Sequence, residues 1–451
     1  MTDSAKDFIK KIDKVFNSDF TPETMKRAKY AFLDYICVTL AGAEYNREKI
    51  NKYLALTDDD RPKYTVIGFD RKADLKDAVF INGLSAHSLD YDDGTNAGII
   101  HLGSPVFSAL VSLAEKYDID TERFYRSVIA GYEASFSMAY SMQPKHKKMG
   151  YHATGTCGVI GTTLAVCYAL GYTEEDKYNA FSTACVSAFG MLKVLDNDSE
   201  LKPYNVAKTA LMSVISARMA KAGFVGPYDP LGGDRGYFAM MTGDKDLVPA
   251  DPLLDNIYAI ERAYVKPYAA CRYCHPAIEG AIRIRQRMLS EGVCIESIQK
   301  IEVDTYSLAV NGHDHCNIVN VSSAKMSIPY GVCVSLIYGK AGLYEYTDEI
   351  IEEKKVKDLL QKITVIADED LNAIFPRKQV AKIYVYADGR TYTECVEFPK
   401  GERENPFTEE EFRDRFTQMC LYAGKTDNEI DHIYDCVSDN TISIKKIIEL
   451  L

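Results

Sequence analysis

Apolar residues recur at helical spacing through most of the chain. Over residues 4–16, Phe8, Ile9, Ile12, Val15 and Phe16 fall on one face. Thr21 followed by Pro22 marks a helix start, and Ala28, Phe32, Tyr35, Ile36, Thr39 and Leu40 keep the period as far as Gly42. The run 73–89 reads helical, and further helices are expected over 104–116, 121–141, 156–170, 174–192 and 204–222, with a capping box at Thr173 and Asp176. These segments are long, rich in alanine and joined by short connections, which predicts an all-α bundle with buried central helices. Residues 223–236, GFVGPYDPLGGDRG, hold the densest Gly and Pro punctuation and should form a long ordered loop.

Past Tyr264 the pattern changes. A helix is expected over 276–291, after which 300–306 alternates and 362–366 is short and apolar. The run 381–387 pairs by pattern with 390–398 across Asp388-Gly389, a dipeptide suited to a two-residue hairpin turn. Helical texture returns after Asn405-Pro406, with capping boxes at Thr408/Glu411 and Thr426/Glu429, and this last part is expected to pack on the first domain. The fold class is therefore mainly α, with a large all-α domain over 1–265 and 401–451 and a smaller α+β domain over 266–400.

Composition narrows the function classes. A chain of 451 residues exceeds what one core usually fills, and 47% hydrophobic with 26% charged residues is ordinary for a soluble globular protein. The formal charge of −12 argues against nucleic acid or an anionic membrane as partner, so an anionic ligand would need locally gathered cations. No apolar run approaches the roughly 20 residues that span a bilayer. The acidic, amphipathic start MTDSAKDFIKKIDKVF reads as a first helix and not a signal peptide, and a cytoplasmic protein is expected. Twelve cysteines follow no repeated spacing and read as small buried hydrophobes in a reducing compartment.

The chemistry concentrates in residues 82–105, NGLSAHSLDYDDGTNAGIIHLGSP. Three carboxylates (Asp90, Asp92, Asp93) and two imidazoles (His87, His101) lie among Leu84, Leu89, Ile99, Ile100 and Leu102. A carboxylate held against an apolar interior is costly unless it is paired, protonated or working. An acid cluster of this kind is equally a solvated loop or a set of helix caps, and the apolar flanks with His101 shift the balance towards a site. A calcium loop fails on spacing, because its later ligand positions fall on Gly94, Thr95 and His101. A helical magnesium motif from Asp92 and Asp93 to Asn96 is a weaker rival. Gly150 to Gly158, GYHATGTCG, sets His152 before a helix start, where Thr154, Thr156 and the glycines leave backbone N–H groups for an anion. Lys202 and Lys266 share a Lys-Pro-Tyr setting, and Tyr330 follows Pro329 in KMSIPY. Cys271, Cys274 and His275 spell CxxCH, but with no second CxxC neither haem nor zinc is expected.

Taken in order, NGLSAHSLDYDD with the following His101, GYHATGTCG, LKPYNVAK, GPYDPLGG, KPYAACRYCHPAIE and AKMSIPY resemble the MmgE/PrpD family across nearly the whole chain. The resemblance implies a helical domain made from both chain ends, an α+β lid domain, a homodimer, and action on a small polycarboxylate with neither metal nor organic cofactor. Known activities in the family are dehydration, decarboxylation and epimerisation. Carried over by motif, the catalytic candidates are Asp90, His101, His152, Lys202, Lys266 and Tyr330. Substrate contacts are expected from Asp93, Thr95, Thr154, Arg272 and His275. Asp90 or His101 is expected as base and His152 as acid, with Tyr330 positioning or donating. Two departures stand out: Gly94 occupies the place where a Thr commonly follows the double Asp, and Asn205 the place of a common His. The leading expectation is a dehydratase or hydratase. An epimerase, a decarboxylase, a metal-dependent all-α enzyme and a non-catalytic binding protein remain the alternatives.

Overall fold

The computed structural model describes residues 3–57, 62–195 and 199–451, and its contacts divide the chain into one unit of residues 1–193, 201–264 and 409–451 and another of residues 194–200 and 265–408. Helices of the first unit include α1 (Ser4–Phe16), α2 (Pro22–Tyr45), α3 (Leu75–His87), α4 (Gly103–Tyr117), α5 (Thr121–Met142), α6 (Gly158–Ala169), α7 (Glu174–Ser187) and α8 (Lys202–Lys221). Their starts follow the local chemistry. Asp3, Thr21, Asp74, Asp120 and Thr173 each accept a first-turn amide on the side chain, which satisfies donors a helix start otherwise leaves open.

Burial sorts these helices into layers. Every residue of α6 is buried, as is α4 from Gly103 to Ala114, so both are central; α1 instead buries one face with Phe8, Ile9, Ile12 and Val15. Around the centre α5 packs on α6, α8 on α3, α6 and α4, and α2 on α3. The segment Glu409–Tyr422 packs on α2, where the buried Arg415 guanidinium reaches Asp34 Oδ1 at 2.5 Å and the Tyr91 carbonyl at 3.1 Å.

Three helical expectations needed correction. Helix α2 continues past Gly42 to Tyr45, and α7 stops at Ser187, five residues before the apolar pattern runs out. It stops because Gly190 is needed elsewhere: its carbonyl accepts the His152 N–H at 2.9 Å, and a Cβ on Gly155 would lie 3.0 Å from the Gly190 Cα. The helix expected over 204–222 begins two residues earlier, with Lys202 as the first residue of α8 although the residue before a proline favours extended backbone, and Pro203 stands in the first turn where its missing N–H costs nothing.

In the second unit, helices α9 (His275–Ser290) and α10 (Ile328–Tyr338) pack on each other, and α9 covers a four-stranded sheet of β1 (Ile298–Thr305), β2 (Ile363–Ala367), β3 (Ala381–Ala387) and β4 (Arg390–Val396). The strand order is β2-β1-β3-β4, with β1 parallel to β2 and the remaining pairs antiparallel. Asp388 and Gly389 both take positive φ, at 50° and 68°, as a two-residue turn matched to strand twist requires. The last strand ends at Val396, two residues short of its expected span. Among the described residues no helix is long and apolar enough to cross a membrane.

Candidate functional site

Helix α3 ends at His87 and α4 begins at Gly103; the fifteen residues between them carry the acids. Two of these residues, Asp90 at φ 51° and Ile99 at φ 49°, sit in the left-handed region. For a β-branched residue that is an outlier, and such strain persists only where the surroundings fix it. Here the fixing contacts are Thr95 N–H to the Ile100 carbonyl at 2.9 Å and Tyr264 N–H to the Gly94 carbonyl at 2.9 Å.

The loop sends its three carboxylates in different directions. Asp90 Oδ2 receives Lys202 Nζ at 2.5 Å, in a pair with side-chain exposures of 4% and 14%. Asp92 Oδ1 lies 2.8 Å from His87 Nδ1, while its Oδ2 accepts the Ser104 hydroxyl at 2.6 Å. Asp93 accepts Tyr132 Oη–H at 2.6 Å and Gly103 N–H at 2.8 Å. Burial and the nearby Asp34 charge push the Asp93 carboxyl up to about 7, with Tyr132 and Gly103 opposing.

His101 stands at the centre of this group. Its Nδ1 is 2.8 Å from the Asp93 carbonyl and 3.3 Å from Asp92 Oδ1, and its backbone N–H donates to Thr154 Oγ1 at 3.1 Å. A carbonyl can only accept, so these partners assign the proton to Nδ1 and leave Nε2 as the acceptor, 3.8 Å from Asp90 Oδ1. His152 has the opposite arrangement. Asn205 Nδ2 donates to its Nδ1 at 3.1 Å, so its proton belongs on Nε2. Burial, helped by His87, Lys202 and His101, holds His152 well below the usual imidazole range and hence neutral at pH 7. The His101 ring centroid lies 4.5 Å from that of His87 and 6.4 Å from that of His152.

Rings of His87, His101 and His152 offer one nitrogen each within 4.8 Å of the others, a separation that bears on metal binding. Tetrahedral zinc, with Zn–N near 2.0–2.1 Å, wants ligand atoms about 3.3 Å apart. All three Nδ1 atoms have protein partners, while the buried Nε2 of His87 has no hydrogen-bond partner among the described residues and is a nitrogen that a cation could take; His87, Asp90, Asp92 and His101 form a second group of the same kind. The rival magnesium motif of Asp92, Asp93 and Asn96 is not formed as a helical motif: the segment is not helical, and the two carboxylates serve separate partners.

The first unit thus brings together Asp90, His101, His152, Thr154 and Lys202, with Thr95 buried in the same loop. Two expected substrate contacts already have protein partners. Asp93 has both oxygens engaged by Tyr132 and Gly103, and the Thr154 hydroxyl holds the His101 amide. The anion-binding loop is also partly used up, since the amides of His152, Gly155 and Cys157 donate to Gly190, His152 and Ala153.

Lys266, Arg272, His275 and Tyr330 belong to the second unit. Lys266 is buried there. Arg272 Nε donates to Glu402 Oε1 at 2.9 Å in a buried ion pair, and His275 Nε2–H reaches the Ala270 carbonyl at 3.0 Å. Tyr330, expected as a proton donor or anchor, is fully buried at the start of α10; its hydroxyl donates to the Glu345 carbonyl at 2.7 Å and burial raises its pKa. Within this unit it is a core side chain.

An N-terminal domain of the MmgE/PrpD type matches residues 6–250, and the corresponding C-terminal domain matches residues 268–439. The chain belongs to the MmgE/PrpD family. It is 23% identical over 432 residues to a cis-aconitate decarboxylase-like protein of Aspergillus oryzae, covering 89% of this chain and 87% of that protein. To cis-aconitate decarboxylase of Aspergillus terreus it is 24% identical over 461 residues, covering 96% and 92%. To 2-methylcitrate dehydratase of Salmonella typhimurium it is 24% identical over 253 residues, covering 54% and 52%.

Both departures from the MmgE/PrpD motifs have local causes. A Cβ at Gly94 would lie 2.6 Å from Tyr264 Oη and 2.7 Å from the Ile100 carbonyl oxygen, so a threonine does not fit there. The hydroxyl comes one position later, at Thr95, whose buried Oγ1 has no hydrogen-bond partner among the described residues. Asn205 supplies the donor that sets the His152 tautomer. Motif reading flagged Asn205 as a change without giving it a task. It also passed over His87 as a site residue and treated Asp92 only as a metal ligand, although both lie in the acid-rich stretch. No pattern in the sequence pointed to Ser104 or Tyr132.

Proposed function

We propose that the protein is a cofactor-independent lyase that dehydrates a small hydroxy-polycarboxylate, or hydrates the corresponding alkene, by removing a proton from carbon beside a carboxylate. The observation that carries the reading is the pair of imidazoles in opposite tautomers, His101 bearing its proton at Nδ1 and His152 at Nε2, beside the Asp90–Lys202 pair. In this reading His101 Nε2 is the base. Asp90 is the weaker candidate because its charge is already met by Lys202. Lys202 stabilises the enolate-like charge that grows on the carboxylate, and a preorganised cation in a buried site is the largest help such a step receives. His152 Nε2–H faces the departing hydroxyl, and an arriving polyanion favours its protonated form, which turns it from hydrogen-bond donor into acid. Thr95 supplies a buried hydroxyl with no hydrogen-bond partner among the described residues.

Decarboxylation is the second reading, because relatives matched over most of their length carry that name. Proton NMR of citrate-like and aconitate-like acids with the enzyme in D2O separates the cases. Loss or gain of water with deuterium at the reacting carbon is expected. Release of CO2 would favour decarboxylation, exchange without net change epimerisation, and inert substrates throughout would remove the enzymatic reading.

A further inference from the structure

The loop that carries His101 does not act on it alone. Asp92 Oδ1 lies 3.3 Å from His101 Nδ1 and 2.8 Å from His87 Nδ1, and Asp92 Oδ2 accepts Ser104 Oγ–H at 2.6 Å. Three groups from α3, the loop and α4 therefore converge on one carboxylate whose side chain is 2% exposed. Burial opposes its ionisation, yet the two imidazoles outweigh burial and hold Asp92 well below the usual carboxylate range. A charge kept at that depth needs partners that use it.

We propose that Asp92 is the positioning residue of the base: its carboxylate, fixed by Ser104 and His87, steers the His101 ring and stabilises the imidazolium formed when Nε2 takes the substrate proton. Asp92 stays ionised throughout. The proton moves from carbon to Nε2, the electron pair stays on the substrate as the enolate, and Nδ1–H remains shared between the Asp93 carbonyl and Asp92. The catalytic step rests on the function proposed above; the positioning does not. His101 also faces His87, Asp90 and His152, with Lys202 beyond Asp90, so its titration reports all of them and must be read by difference.

Histidine-labelled protein followed by 15N NMR, with His101 assigned by the His101→Gln variant, tests the proposal without substrate. In Asp92→Asn the His101 midpoint should fall by at least about one pH unit, since an opposite charge within 4–6 Å accounts for 1–3 units. In active enzyme kcat should fall about ten- to a hundredfold with KM changed far less, as for the loss of a group that orients a functional imidazole. Ser104→Ala keeps the carboxylate and should shift both in the same direction by less, and it carries the test if Asp92→Asn does not fold. A His101 midpoint unchanged in the folded variants overturns the proposal, because the Asp93 carbonyl alone would then orient the ring. A shifted midpoint in a protein that converts no polycarboxylate upholds the positioning and removes the lyase reading instead.

Discussion

The acid loop of the first unit and the motif residues of the second solve the problem of buried polar groups in opposite ways. In the loop, ionisable side chains meet one another: Asp90 with Lys202, Asp92 with His87 and His101. In the second unit, Tyr330 and His275 donate to main-chain carbonyls, and Arg272 is matched by one carboxylate. A side chain bonded to its own backbone is satisfied and fixed. Mutually bonded titratable groups are satisfied too, but each proton that moves changes its neighbours. Proton movement is therefore shared among groups only in the first arrangement, although both sets came from equally clear motifs.

The contrast can be broken most sharply at His101. His101→Ala should lower kcat/KM about 10²- to 10⁴-fold, the usual worth of a general base, with circular dichroism unchanged. Next is Asp93, which burial lifts to about 7. Its folded form holds the proton more tightly than the unfolded chain does, so its contribution is complete below about pH 4 and falls away as pH rises to about 7. The whole loss amounts to about 4 kcal/mol, of which roughly 3 kcal/mol falls between pH 5 and pH 8, and urea titrations at those two values should show that part in the wild type but not in Asp93→Asn.

Tyr330→Phe strands the Glu345 carbonyl and should cost about 1–3 kcal/mol in thermal or urea unfolding while kcat/KM changes less than about threefold. A hundredfold loss of turnover at unchanged stability would put the phenol in the chemistry and erase the contrast between the two sets of residues. The smallest effect expected is uptake of a fraction of a proton when a polycarboxylate binds at pH 7, because His152 starts neutral and gains from added negative charge. Calorimetry in buffers of different ionisation enthalpy reads it directly.

Helices and hairpin were legible because they rest on short-range rules: the 3.6 period, side-chain caps, and the positive φ that Asp388-Gly389 accepts. The end of α7 was not, because the apolar pattern continues past it and only the contact between Gly190 and the His152 segment says otherwise. The same divide runs through the site. Residue types announced a cluster of acids and imidazoles, whereas the tasks of Asp90, Asp92 and Asp93 depend on which distant side chain each meets. Lys202, Ser104 and Tyr132 arrive from three different helices, and nothing in LDYDD distinguishes the acids.

The tie between Arg415 and Asp34 also bears on how the protein is made. A ribosome releases the α2 surface hundreds of residues before the segment that covers it, so Asp34 and the ring of Tyr30 wait for Arg415 and Phe412 until residues Glu409–Tyr422 have been made. A chain stopped before Glu409 lacks both the guanidinium that meets Asp34 and the ring that stacks on Tyr30.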